Sequence, residues 1–230
     1  MTSTRVRYSL QYIQNLYDTG EDRSKLENLI RAFRGIQALP PDDPDSFSLI
    51  SGFHGMPWRG LGAEDPTWWG GYCWHGSVLF PTWHRAYLLR LENALRSITG
   101  CQDVTLPFWD EIANLVSDGP IKIIPSVLTS PTFELDGRTD NPLYSYTLQQ
   151  AMTDAVENNR YKKPVGYETV RYPPSGEYRA VATSFPCYNF QALISCWQAW
   201  WELKLIGKKR LSITRSTQIN LRTFRYSITT

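Results

Sequence analysis

The chain has 230 residues, 42% of them hydrophobic and 20% charged, with a formal net charge of +2. That length suits one sizeable core or two small domains, and so small a charge does not mark a nucleic-acid partner. No apolar run reaches membrane-spanning length and the N-terminus lacks the apolar stretch of an export signal, so a cytoplasmic protein with no membrane contact is expected.

RVRYSLQYIQNLYDTG places Leu10, Ile13, Leu16 and Tyr17 at helical spacing and closes at Gly20. EDRSKLENLIRAFRGIQAL repeats the pattern with Leu26, Leu29, Ile30 and Phe33, with Gly35 as a candidate terminator. PPDDPDSF is a turn or loop signal. From Phe47 to Thr82 the chain is rich in Gly, Pro and Trp (Trp58, Trp68, Trp69, Trp74) and reads as ordered but mostly irregular. Thr82 is then placed to cap a helix over WHRAYLLRLENALRSI, with Tyr87, Leu88, Leu91, Leu95 and Ile98 on its apolar side and Gly100 at its end. Pro107 suggests a short helix from Phe108. Residues 119–142 show little regularity, PLYSYTLQQAMTDAVENN predicts another helix, and VGYETVRYPPSG reads as loop with extended pieces. The expected fold is mainly α with long irregular loops.

Charge divides the chain. Residues 179–230 carry eight Lys or Arg against the single acid Glu202, a net +7, whereas residues 1–178 carry a net −5. The basic segment could face nucleic acid or an acidic surface, but foreign sequence joined to a coherent acidic domain explains the break better. The expected organisation is therefore a domain over 1–178 and an atypical tail over 179–230.

The chain has three histidines, His54, His75 and His84, and none after residue 84. Copper and zinc both accept imidazole nitrogen, and three imidazoles make a reasonable shell for one ion. His84 lies near the start of a helix, which can aim its ring. His75 ends the Trp-rich segment, and His54 requires that segment to fold back. Each also has an ordinary reading: His84 as a half-buried helix histidine bonded to backbone, His54 and His75 as loop histidines followed by glycine. Cys73 stands two residues before His75, as a soft ligand, a covalent tether or a small buried hydrophobe. Cys73, Cys101, Cys187 and Cys196 form no CxxC pair, and without an export signal free or modified thiols are expected.

FHGMPW, GGYCWHGSVLFPTWHRAYLLRLENAL and VTLPFWDE together resemble the first copper half of the tyrosinase and catechol oxidase family, in particular its fungal branch. The inter-copper region is also similar over IIPSVLTSPTFELDGRTDNPLYSYTLQQ and KKPVGYETVRYPPSG, so the resemblance covers about residues 5–177. It implies a four-helix bundle holding two coppers, with dioxygen bound between them and phenols or catechols as substrates. By resemblance, His54, His75 and His84 are the ligands of the first copper, Cys73 forms a thioether to His75, and Phe80 and Trp83 are neighbouring aromatic positions.

The second ligand set, which the family supplies from later histidines, is missing after His84. The resemblance therefore implies an incomplete bundle holding one copper, consistent with a frameshift or intron read-through near residue 178. Reducing dioxygen between two coppers takes one electron from each ion, so no ordinary phenolase turnover is expected of these residues alone. Two alternatives are a non-catalytic mononuclear copper protein and a half-enzyme completed by a partner chain. With the second pair of helices absent, the apolar side of Tyr87, Leu88, Leu91 and Leu95 should lack cover and promote self-association.

Overall fold

The computed structural model describes residues 4–54, 78–110, 124–151, 163–169 and 223–227. The chain opens with strand β1 (Thr4–Tyr8), followed by helices α1 (Leu10–Thr19), α2 (Ser24–Ala38), α3 (Phe47–His54) and α4 (Phe80–Ser97). A one-turn helix α5 (Ser126–Thr129) precedes the strands β2 (Thr132–Leu135) and β3 (Arg138–Asp140), and β4 (Thr223–Ser227) pairs antiparallel with β1. A mainly helical core is what the sequence implied.

The helical reading of residues 5–8 is corrected: they form β1. Ser9, in extended conformation, caps α1 by accepting from the Tyr12 amide at 3.2 Å, so the helix starts after it. In a strand, Arg5 and Arg7 share one face, and both reach Glu92 of α4, at 2.8 and 3.0 Å. Gly20 closes α1 with φ +75, donating to the Tyr17 carbonyl, as expected.

Gly35 does not terminate α2. The helix runs to Ala38 and stops where Leu39 turns extended ahead of Pro40. Gly35 instead lets α4's end come close: a Cβ there would lie 2.7 Å from Ile98 Cδ1 and Cγ1. α2 sits between the other helices, touching α1, α3 and α4, while α3 also touches α4. Leu26, Ile30, Phe33 and Ile36 of α2 are fully buried with Leu91 and Leu95 of α4.

Residues 47–54 are helical, not irregular. Ser46, fully buried, accepts from the Leu49 amide at 3.0 Å and so starts α3. α4 begins at Phe80, with Pro81 in its first turn, two residues before Thr82; the Thr82 hydroxyl donates to the Leu79 carbonyl rather than capping. The expectation of an uncovered α4 face is also corrected. Tyr87, Leu88, Leu91 and Leu95 are 0–8% exposed, because α2 and α3 lie against that helix. That face gives no support to self-association.

Residues 111–120 of the short helix expected near Phe108 lie outside the described residues, and the chain is not helical at Phe108 itself. Its amide donates to the Tyr8 carbonyl and its carbonyl accepts from the Leu10 amide, at 3.0 and 2.7 Å, which binds this stretch to the end of β1. Between 124 and 142, where little regularity was expected, stand α5 and the β2–β3 hairpin, turning at Asp136 and Gly137, both with positive φ. Arg34 of α2 holds this hairpin through the carbonyls of Phe133, Leu135 and Asp140. Residues 142–151 are not helical: Leu148 bonds across to Tyr167 and Gly166, as extended chain does. The rest of that predicted helix, 152–159, lies outside the described residues. No helix among the described residues is long and apolar enough to cross a membrane.

Candidate metal centre

His84 sits one turn into α4 and is 1% exposed. Its Nδ1 lies 2.7 Å from the Phe80 carbonyl. A carbonyl can only accept, so Nδ1 donates to it and Nε2 is the ring nitrogen left to face an ion. This is the arrangement in which an imidazole is oriented for a metal by the hydrogen bond of its other nitrogen.

His54 is the last residue of α3 and is 5% exposed. It is therefore not the loop histidine of the ordinary reading. The ordinary reading of His84, a ring bonded to backbone, holds for Nδ1 but leaves out what Nε2 faces. The two Nε2 atoms stand 3.4 Å apart across 30 residues of sequence. Imidazole nitrogens sit about 2.0–2.1 Å from a bound ion such as zinc, and two at a tetrahedral angle are then about 3.4 Å apart. The pair fits two corners of one metal shell. The C-terminal end of α3 adds the negative end of a helix dipole beside it, which favours a cation.

Aromatic rings enclose the pair. Phe80 lies 4.1 Å from His84 centroid to centroid, and Trp83 lies 4.9 Å from it edge-on. Trp83 and Tyr87 stack at 5.0 Å, and both rings approach His54, at 6.0 and 5.6 Å. Phe80 and Trp83, which the resemblance places beside His84 in the motif, lie against its ring. Tyr87 had been assigned only to the apolar side of α4; its position three residues after His84 was the signal for a second role. The Phe80 carbonyl had no signal beyond lying four residues before a helical histidine.

His75 and Cys73 lie outside the described residues, and so does the proposed link between them. Among the described residues no group of three His, Cys, Asp or Glu side chains gathers to hold an ion. Of the four cysteines, Cys101 is described: a free, fully buried thiol whose pKa is pushed up by desolvation. It lies away from the histidines, hydrogen-bonded to the Asn28 carbonyl at 3.5 Å.

Residues 44–201 match the family model described as tyrosinase, common central domain of tyrosinase. The chain belongs to the tyrosinase family. Tyrosinases are copper oxidoreductases. The tyrosinase HcTyr2 of Hahella sp. (strain CCB-MM4) is 53% identical over 181 residues, covering 74% of this chain and 32% of that protein. A tyrosinase of Aspergillus oryzae is 44% identical over 166 residues, covering 71% of this chain and 29% of that protein. The tyrosinase structure from Burkholderia thailandensis at high pH is similar with a TM-score of 0.58 and 47% identity, over 74% of this chain and 31% of that one. The chain thus spans about a third of the length of the tyrosinases it matches.

Proposed function

We propose that His54, His75 and His84 hold one copper ion, the first half of a tyrosinase-type centre, and that Cys73 is placed to tether His75. The observation that carries this reading is the 3.4 Å approach of the His54 and His84 Nε2 atoms, with His84 preset by its Nδ1 bond to Phe80. Copper bound there would supply one electron per ion as it moves between its cuprous and cupric states. The chain's own part is to exclude water with Phe80, Trp83 and Tyr87 and to present two imidazoles without rearrangement.

In the family the substrates are phenols and catechols with dioxygen, and two coppers share the work. With three histidines, these 230 residues supply one three-imidazole set. The reading is therefore of a copper site by descent, without phenol turnover from these residues by themselves. The segment 179–230 contributes no histidine to it. A mononuclear copper-binding protein is the second reading, favoured by the fact that His54 and His84 already meet without any residue from a second half.

Elemental analysis of the copper-loaded chain tests this. About one copper per chain, lost in His84→Ala, is the expected result, with mass spectrometry then reading the Cys73–His75 link. No retained copper in the folded protein would refute the site, and two coppers per chain would mean a second ligand set exists.

A further inference from the structure

We propose that Tyr87, together with Trp83, is the positioning residue that aims His54 at the metal, an inference that rests on the copper reading above. The two imidazoles are oriented by different means. His84 is set by the backbone of its own helix, through the Phe80 carbonyl. His54 is the terminal residue of α3, and its ring packs against rings from α4: Tyr87 at 5.6 Å, tilted 35°, and Trp83 at 6.0 Å.

Positions 80, 83, 84 and 87 follow the spacing that places residues on one helical face. Trp83 and Tyr87 are stacked within 19° of parallel, so they form a continuous wall rather than two separate contacts. Tyr87 is buried and Trp83 half-buried. Aromatic side chains are rigid, with large contact area, whereas an imidazole without neighbours samples several rotamers. With the wall in place, the His54 ring meets an incoming ion already facing His84. Removing it takes away two of the ring contacts that hold His54, and affinity falls. One helix thus sets the direction of both ligands, its own through a backbone carbonyl and that of α3 through ring packing.

The test measures Cu(I) affinity of the full chain by competition with a chromophoric chelator, with thermal unfolding of the apo protein alongside. Tyr87→Leu should bind copper about tenfold more weakly, the lower end of what loss of support behind a ligand costs. Tyr87→Phe, which keeps the ring against His54, should bind copper more tightly than Tyr87→Leu. Leu91→Ala, one turn further along α4 in the core, should lower the unfolding temperature and leave copper affinity unchanged. The Cu(II) electron paramagnetic resonance spectrum should change in Tyr87→Leu and not in Leu91→Ala. Should Tyr87→Leu fail to fold, Trp83→Leu carries the same expectation at a half-buried position. A folded Tyr87→Leu or Trp83→Leu protein with wild-type affinity overturns the inference, as does equal weakening in Leu91→Ala. A folded wild-type chain that binds no copper overturns the copper reading itself, and the inference with it.

Discussion

Glu92 and Arg5, 87 residues apart in the chain, meet at 2.8 Å. The Glu92 carboxylate is fully buried and also accepts from Arg7 Nε and from the Leu106 amide, each at 3.0 Å. Glu92 lies two turns beyond His84 on α4, so this carboxylate ties the ligand-bearing helix to β1 and to the strand-like stretch before Phe108. Removing one partner of a buried ion pair leaves the others poorly paired, at about 3–5 kcal/mol. Glu92→Ala is expected to destabilise the chain by about that much in urea unfolding. A loss below about 1 kcal/mol would show instead that the arginines and the amide re-pair with water, as exposed pairs do.

Gly35→Ala sets two effects against each other. Ala is the better helix former by about 1 kcal/mol, but its Cβ would stand 2.7–2.8 Å from three carbons of the Ile98 side chain. Ile98 is β-branched and stiff at χ1, so the clash cannot be relieved by moving a flexible tip. Overpacking of this kind costs about 1–3 kcal/mol, and net destabilisation is expected. The double variant Gly35→Ala/Ile98→Ala should recover part of it. If the single variant melts higher than wild type, α2 and α4 have room that their packing does not suggest.

The long apolar stripes were legible. Leu10, Ile13 and Leu16 of α1, Leu26, Leu29, Ile30 and Phe33 of α2, and Tyr87, Leu88, Leu91 and Leu95 of α4 repeat often enough for their period to identify them, and all are core. α3 was hidden because it is eight residues long and borders a Gly- and Pro-rich segment, and its one local signal was the Ser46 cap. β1 was ambiguous for another reason. The alternation of Arg5 and Arg7 has meaning only against Glu92, whose position depends on the rest of the fold. The β2–β3 hairpin escaped the sequence reading because its strands are short and what holds them is Arg34, about 100 residues upstream. In the candidate site the histidine pair could be read from residue distribution and family resemblance. The roles of the Phe80 carbonyl and Tyr87 needed the helix to be in place.

Asp22 gives the fold an acid-sensitive contact. Its carboxylate accepts from Lys25 and from the Ser24 hydroxyl and amide, at the start of α2. Those bonds, the Lys25 one foremost, lower its pKa from 3.8 to about 2. A carboxylate with a depressed folded pKa stabilises fully above its unfolded value and loses that contribution as pH falls through the folded one. The contact is at the surface, so its worth is about 0.5 kcal/mol. Asp22→Asn should therefore be less stable than wild type by about that much at neutral pH, with the gap closing between about pH 4 and pH 2. Urea midpoints of both proteins across that range are the measurement. A gap that stays constant to pH 2 would assign the difference to the amide's own hydrogen bonding instead of to charge.

The last prediction concerns turnover. His54 and His84 converge, and His75 completes the histidines of these 230 residues. At three imidazoles per ion they would fill one site able to supply one electron, whereas the family's oxidation of phenols draws on a pair of coppers. Copper-loaded protein given a phenol or a catechol under air should produce no quinone absorbance above that of the His84→Ala variant. Turnover that rises in proportion to bound copper would refute this and point to a second metal built by other side chains. Turnover that appears only above a concentration threshold would point to two chains pooling their sites. Turnover that appears only when a second protein is added would identify that protein as the source of the missing ligands. The His84→Ala control separates all three from free copper in solution, because it removes the site and leaves the rest of the chain unchanged.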